Sequence, residues 1–238
     1  MVNYLQRKFW IHCFLLVSGL TIYAQGDESV TEQLWIDIIP HFGINQRLEY
    51  YGDASLRIVF EENTTYTMVA RPSVVYHLNP IVELRGGLGF FYTIVENSRN
   101  QLELRPWQGV RIHWPTLGPI GIKHYIKLEE RLLWETELWD FDLALRFRYK
   151  LGGRIPFNES RKFYLSLFGE AFVNFGGEDV ELLRDRMRGY FGLGHKLNDT
   201  WTVELEFMLQ RSRSNEIEGF DVSEYIFRLK LVKDGWVW

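Results

Sequence analysis

Cysteine is all but missing from this chain. The single one, Cys13, lies in an apolar run near the N-terminus, so the rest carries no disulfide, thiolate metal site or cysteine nucleophile. A basic excess is missing as well. Against 27 Lys and Arg stand 31 Asp and Glu, a formal net charge of −4, whereas binding phosphate backbones calls for a cationic surplus; this argues against nucleic acid as the main partner. Proline is sparse, at 7 residues, and no stretch rich in Pro, Gly or Ser divides the 238 residues, so one domain is expected. Beyond Gln25 there is neither a sustained helical period nor a second apolar run long enough to cross a membrane as a helix.

What is present begins with a secretory pattern. Arg7 and Lys8 precede the apolar run Phe9 to Leu20, and Thr21 to Ala24 closes it before Gln25. Residues 1–24 are therefore expected to be a signal peptide and residues 25–238 the mature domain. The run is shorter than the roughly 20 apolar residues of a membrane anchor and is interrupted by His12, Ser18 and Gly19. Cys13 lies ahead of most of the run instead of at its end, which argues against a lipoprotein anchor. Removing Arg7 and Lys8 makes the net charge about −6.

The remainder alternates. In "FDLALRFRYKL", Phe141, Leu143, Leu145, Phe147, Tyr149 and Leu151 share one face of an extended chain, with Asp142, Ala144, Arg146, Arg148 and Lys150 on the other. About eleven such segments follow one another: Gln33 to Phe42, Arg47 to Phe60, Thr65 to Leu78, Ile81 to Ile94, Gln101 to Trp114, Gly121 to Trp134, Trp139 to Leu151, Lys162 to Phe175, Arg184 to Leu197, Trp201 to Arg211 and Ser223 to Leu231. Tight turns such as Asn79-Pro80 and Asn198 to Thr200 alternate with longer, mostly polar and acidic links such as Val95 to Asn100 and Gly176 to Glu181. The Gly152 to Arg161 link is longer than this scheme accommodates.

Alternation alone does not say which face is inside, but three features do. Six apolar positions from Phe141 to Leu151 span about 33 Å, or about 25 Å of height at a tilt near 40°, the thickness of an outer-membrane apolar band. Tyr76, Tyr92, Trp114, Trp134, Tyr149, Trp201 and Tyr225 fall near strand ends on the apolar face, as an interfacial aromatic girdle requires. The opposite face collects Arg71, Arg85, Arg105, Arg111, Glu129, Arg131, Arg146, Arg148, Glu170, Arg184, Arg186, Arg188, Glu204, Glu206 and Arg228. Glu49, Asp53, Arg57, Glu83, Glu103, Lys123, Lys127 and Lys230 share that face.

The expectation is an all-β chain: a single closed antiparallel transmembrane β-barrel of about ten to twelve strands, apolar outside and ionic within. An even strand number is the bacterial pattern, so either the first segment is not a strand or Gln25 to Glu32 contributes another. Glu130 and Gln108 fall on the apolar face, and Pro72 and Pro106 lie within strands, which calls for β-bulges at these places.

Two readings of the interior remain. Cations outnumber acids on the inner face about two to one, which would favour passage of small anions. Alternatively the charges form a structural ladder, with Arg184, Arg186 and Arg188 pairing sideways with Glu170, Glu204 and Glu206. A lipid hydrolase needs a nucleophile beside a base, but Ser73 and His77 are about 13 Å apart on one strand. Ser166 could reach His77 or His113 only from another strand. His41, His77, His113, His124 and His195 show no metal-ligand spacing, and no cofactor is implied. A soluble periplasmic barrel holding an apolar ligand is the third reading.

The succession "ARPSVVYHLNPIVELRGGLGFFY", "LELRPWQGVRI", "IKHYIKLEERLLW", "LALRFRYKLGG" and "KFYLSLFGEAFVNFG" resembles the Gram-negative outer-membrane barrels known only as domain of unknown function 2490. The resemblance covers most of Trp35 to Leu231, least of all the first strand, "LWIDIIPHFGIN". It implies an outer-membrane location, with membrane lipids as neighbours, and it supplies no catalytic residue.

Overall fold

Strands account for nearly all of the computed structural model, which describes residues 30–61, 64–114, 120–157, 161–175, 185–213 and 220–236. Residues 1–24, expected to be a signal peptide, lie outside them. In chain order the strands are β1 (Thr31–Gly43), β2 (Leu48–Tyr51), β3 (Ala54–Phe60), β4 (Thr65–Ala70), β5 (Ser73–His77), β6 (Val82–Val95), β7 (Gln101–His113), β8 (Gly121–Glu135), β9 (Phe141–Pro156), β10 (Phe163–Phe175), β11 (Arg186–Lys196), β12 (Trp201–Ser212) and β13 (Asp221–Trp236). β2 with β3 forms one stave, and β4 with β5 another. Gly52-Asp53 and Arg71-Pro72 interrupt them at facing positions, where the amide of Asp53 donates to the Arg71 carbonyl at 3.2 Å and that of Arg71 to the Asp53 carbonyl at 2.8 Å.

Each stave pairs antiparallel with the next, and the sheet closes where β1 pairs with β13, from Thr31 opposite Glu224 to Gly43 opposite Trp236. The result is a closed barrel of eleven staves. The first segment is a strand and, among the described residues, no twelfth stave joins it, contrary to the even count expected. The geometric consequence is that closure is parallel: in an up-and-down meander of odd number, the first and last staves run the same way. One end of the barrel, the Thr31 end, receives the links after β3, β6, β8, β10 and β12; the other, the Gly43 end, receives those after β1, β5, β7, β9 and β11.

The bulges expected at the prolines do not form. β6 faces Ala70 with Phe90 before Pro72 and Ser73 with Gly87 after it, so the register is unchanged. Pro72 still accepts from the Leu88 amide at 3.1 Å, and its missing donor costs a single ladder bond. Between β7 and β8 the pairing skips Arg105 and Pro106, then resumes in the same register at Trp107 opposite Glu129. The register shift that does occur lies at Gln210-Arg211, between β12 and β13. The long link after Leu151 is also corrected: β9 continues to Pro156, with Gly152 opposite Phe168 and Gly153 opposite Ile122.

Burial follows the two-residue period and is inverted relative to a soluble core. Leu143 is 51% exposed and Leu205 60%, while Ala144, Glu204 and Gln210 between such residues are at 1% or less. Inside, Trp35, Tyr190, Met208 and Ile226 make an apolar cluster with Phe168 packed against it. Space for these rings comes from glycine: a Cβ on Gly194 would collide with the Tyr164 ring, and one on Gly192 with Glu206 and Ser166.

Candidate functional site: the barrel interior

A carboxylate inside a protein is stable only when its charge and lone pairs are taken up, and β8 shows how this is done. Glu129 is 2% exposed and accepts from Arg146 Nε at 2.6 Å and Arg148 Nη1 at 2.8 Å, with Lys127 Nζ also at 2.8 Å. Arg148 reaches on to Glu170 at 2.6 Å. Glu103 takes Arg131 Nε at 2.6 Å together with Arg105. Across the lumen, Arg228 bonds Asp37 and lies 3.3 Å from Glu206. Lys230 bridges Glu206 at 2.7 Å and Glu204 at 3.2 Å. Glu204 also accepts from Ser166 at 2.6 Å and from Tyr164 and Arg154 at 3.1 Å.

Aromatic faces take up part of the cationic surplus. Lys127 lies 3.8 Å from the Trp107 ring centre, Arg105 lies 3.7 Å from Phe91, and Lys150 lies 4.4 Å from both Phe168 and Tyr190. Such contacts stabilise a desolvated cation by about 2 kcal/mol. The interior is thus held by charge pairing and ring stacking in place of an aliphatic core.

The partners are not the sideways ones expected. Glu170 sits opposite Arg188 in register, yet it is engaged by Arg148, and Arg188 donates to the Gln210 amide oxygen. Arg186 reaches Glu224 at 4.0 Å, and Arg184 lies outside the described residues. Arg71 pairs with Asp53 at 2.7 Å, while Arg85 and Arg111 share Glu83 at 3.1 and 3.5 Å. Three acceptors escaped the sequence reading. Asp37, bonded by Ser55 and Arg228, alternates with Ile36 and Ile38 in a segment whose pattern already marked an inner face. Gln210 and Glu224, joined at 2.6 Å, continue the inner-face phase of Glu204 and Glu206 and of Arg228 and Lys230, so stepping by twos already reaches them.

At the Gly43 end a belt of histidines and acids lines the mouth. His41 lies 2.8 Å from both Asp234 and Glu49, His77 2.9 Å from Glu49, and His113 2.6 Å from Glu83. Among the described residues no group of three or more His, Cys, Asp or Glu is arranged to hold a metal ion. The hydrolase candidates part company: Ser73 donates to the Tyr51 carbonyl, Ser166 donates to Glu204, and neither touches a histidine.

On the outer face, Tyr76, Trp114 and Trp201 lie toward the Gly43 end, and Tyr92, Trp134 and Tyr225 toward the Thr31 end, while Tyr149, expected near a strand end, falls mid-strand because β9 runs on to Pro156. His124 lies 2.8 Å from the Tyr149 hydroxyl, and His195 stacks on Phe163 with centroids 4.0 Å apart. Gln108 and Glu130 face outward beside Pro106.

A family model described as "Protein of unknown function (DUF2490)" matches residues 32–220. No curated protein matches the chain.

Proposed function

We propose, for a chain that belongs to the DUF2490 family of unknown function, an outer-membrane β-barrel whose interior is closed by ion pairs, so that it acts as a membrane scaffold and not as an open pore. One observation carries this reading: the barrel is inverted, with Leu143, Leu145, Phe147, Leu205 and Phe227 exposed outside while Glu129, Glu204 and Glu206 are buried within. Water rewards the opposite arrangement; bilayer hydrocarbon rewards this one. The two levels of Tyr and Trp on the outer face support the same reading, as residues set at headgroup depth. Outer-membrane lipids are then its immediate partners, and residues 1–24 its export signal.

The ladder reading of the lumen is favoured over the anion passage. Most of its cations are committed to acids, amides and rings, and a path would have to break several such contacts at once. Eleven staves lie between the filled eight-stranded barrels and the open porins. A soluble barrel around an apolar ligand needs an apolar lumen, which the ionic interior does not offer. A hydrolase needs a Ser and His in contact, and the described residues place Ser73 and Ser166 elsewhere.

Two measurements test the proposal. Fractionation should place the protein in the outer membrane, and unheated samples should migrate differently from boiled ones; extraction without detergent would refute the location. In planar bilayers the purified protein should give no sustained current, and a steady anion-selective conductance would restore the passage reading.

A further inference from the structure

At the Thr31 end the inner face changes character. Gln33, Val59, Thr65, Thr67, Thr93, Val95 and Gln101 are partly exposed, while just below them Trp35, Asp37, Ser55, Val69, Phe91 and Glu103 are buried. This step in burial describes a shallow vestibule with a closed floor, walled around Arg57 by threonines, glutamines and valines; a carboxylate on the rim, Glu224 on β13, is bonded by Gln33 at 2.7 Å. Arg57 stands at that step. Its guanidinium lies 4.0 Å from the Trp35 ring centre and 5.6 Å from that of Phe91. Its Nε is shut off from solvent with no hydrogen-bond partner, and the side chain forms no hydrogen bond or ion pair among the described residues. The charges acting on it are mostly of its own sign, Arg71, Arg105 and Arg228, with Asp37 the acid nearest in effect. Asp37 is already bonded by Arg228 and Ser55, and Arg71 and Arg105 hold Asp53 and Glu103.

A guanidinium in this position lacks an anion. The register supplies further donors, since Arg57 pairs with Thr67 and Thr67 with Thr93, all on the inner face of one rung. The two threonine hydroxyls lie 3.1 Å apart, and one of their protons can turn from the neighbour to a guest. Planar N–H groups from one side and hydroxyls from the next staves suit a small oxyanion with several acceptor atoms. We propose that the vestibule is a binding site for a small phosphate-type oxyanion, with Arg57 its charged anchor, Thr67 and Thr93 its hydroxyl donors and the Trp35 ring its floor. The site is a dead end, so it requires no conduction. It belongs to the barrel whether or not a bilayer surrounds it, so its failure and that of the membrane reading are separate results.

The test is calorimetric titration of the full-length protein in detergent at constant ionic strength. Inorganic phosphate and glycerol 3-phosphate are titrated separately to distinguish free phosphate from a phosphorylated solute, with chloride as the reference anion. Saturable binding of at least one phosphate compound is expected, weakened about tenfold or more in Arg57→Gln, the scale of one charge-assisted hydrogen bond. Arg57→Lys should retain part of it. Arg99→Gln, which removes a cation from the rim of the same mouth, should leave it unchanged. Absence of saturable binding, equal binding of chloride, wild-type affinity in Arg57→Gln or equal loss in Arg99→Gln would each overturn the proposal. Should Arg57→Gln fail to give the compact band of a folded barrel, Thr67→Val replaces it, with a severalfold loss expected and an unchanged affinity refuting the site.

Discussion

Replacing Glu129 by Gln keeps the shape of the side chain and removes the charge on which three cations converge. Arg148 retains Glu170, but Arg146 and Lys127 are left without a carboxylate. Stranding one member of a buried pair costs about 3 to 5 kcal/mol, and here two are stranded, so the upper part of that range applies. For a domain of this size each kcal/mol corresponds to about 2 to 4 °C, so the unfolding midpoint should drop by about 8 to 20 °C. The readout is the temperature at which the compact gel band of the detergent-solubilised barrel converts to the unfolded one, with circular dichroism in parallel. Arg99→Gln supplies the scale, because its pairing with Glu135 at 2.7 Å is half exposed and such pairs contribute about 0 to 1 kcal/mol. The second arm is Glu129→Gln with Arg146→Gln, which withdraws a stranded charge and should recover part of the loss. A drop in Glu129→Gln no larger than that in Arg99→Gln would show that the lumen is wet enough to screen its charges, and the account of a closed interior would be wrong.

Leu145→Arg places a cation on the outer face of β9 and should cost about 2 to 4 kcal/mol in a bilayer, seen as reduced assembly in membranes; unchanged assembly would mean that Leu145 does not meet lipid. Gly194→Ala should lower the midpoint by driving a methyl into the Tyr164 ring, whereas Gly189→Ala, where an added Cβ meets nothing within 4 Å, should leave it in place; equal effects in the two would refute the packing argument. Ser166→Ala withdraws a 2.6 Å bond from the buried Glu204 and should cost about 1 to 3 kcal/mol, measured by urea midpoint. Lipid turnover by purified protein that disappears in Ser166→Ala would instead revive the hydrolase reading.

The sequence shows the staves far better than their partners. Alternation in Phe141 to Leu151 marks a strand with an ionic inner face because a period of two leaves little choice, and the same logic identifies eleven staves. It misreads Gly152-Gly153 as a link, since nothing local distinguishes a glycine pair that lets staves approach closely from one that turns. Pro72 and Pro106 look like bulges, although a missing donor in a continuous register costs less than an inserted residue. Side-chain pairing is the least legible level. Glu170 faces Arg188 across one strand pair and Lys150 across the other, yet Arg148, a diagonal neighbour, claims it because long guanidinium stems reach past the nearest position. Arg57 stood among the inner-face charges from the start; what alternation withheld was that every acid near it is already engaged.

The parallel pairing of β1 with β13 also sorts the chain's two extremities. An even meander returns its last residue to the side on which it started, but this one begins its first rung at Thr31 on one rim and completes its last at Trp236 on the opposite rim. If the barrel spans a bilayer as proposed, epitopes joined ahead of Thr31 and behind Trp236 would therefore answer to reagents applied from opposite sides of a sealed vesicle. The circle also cannot be completed until its final stave has been delivered, so a chain arrested before Asp221 would leave the free edge of β1 open.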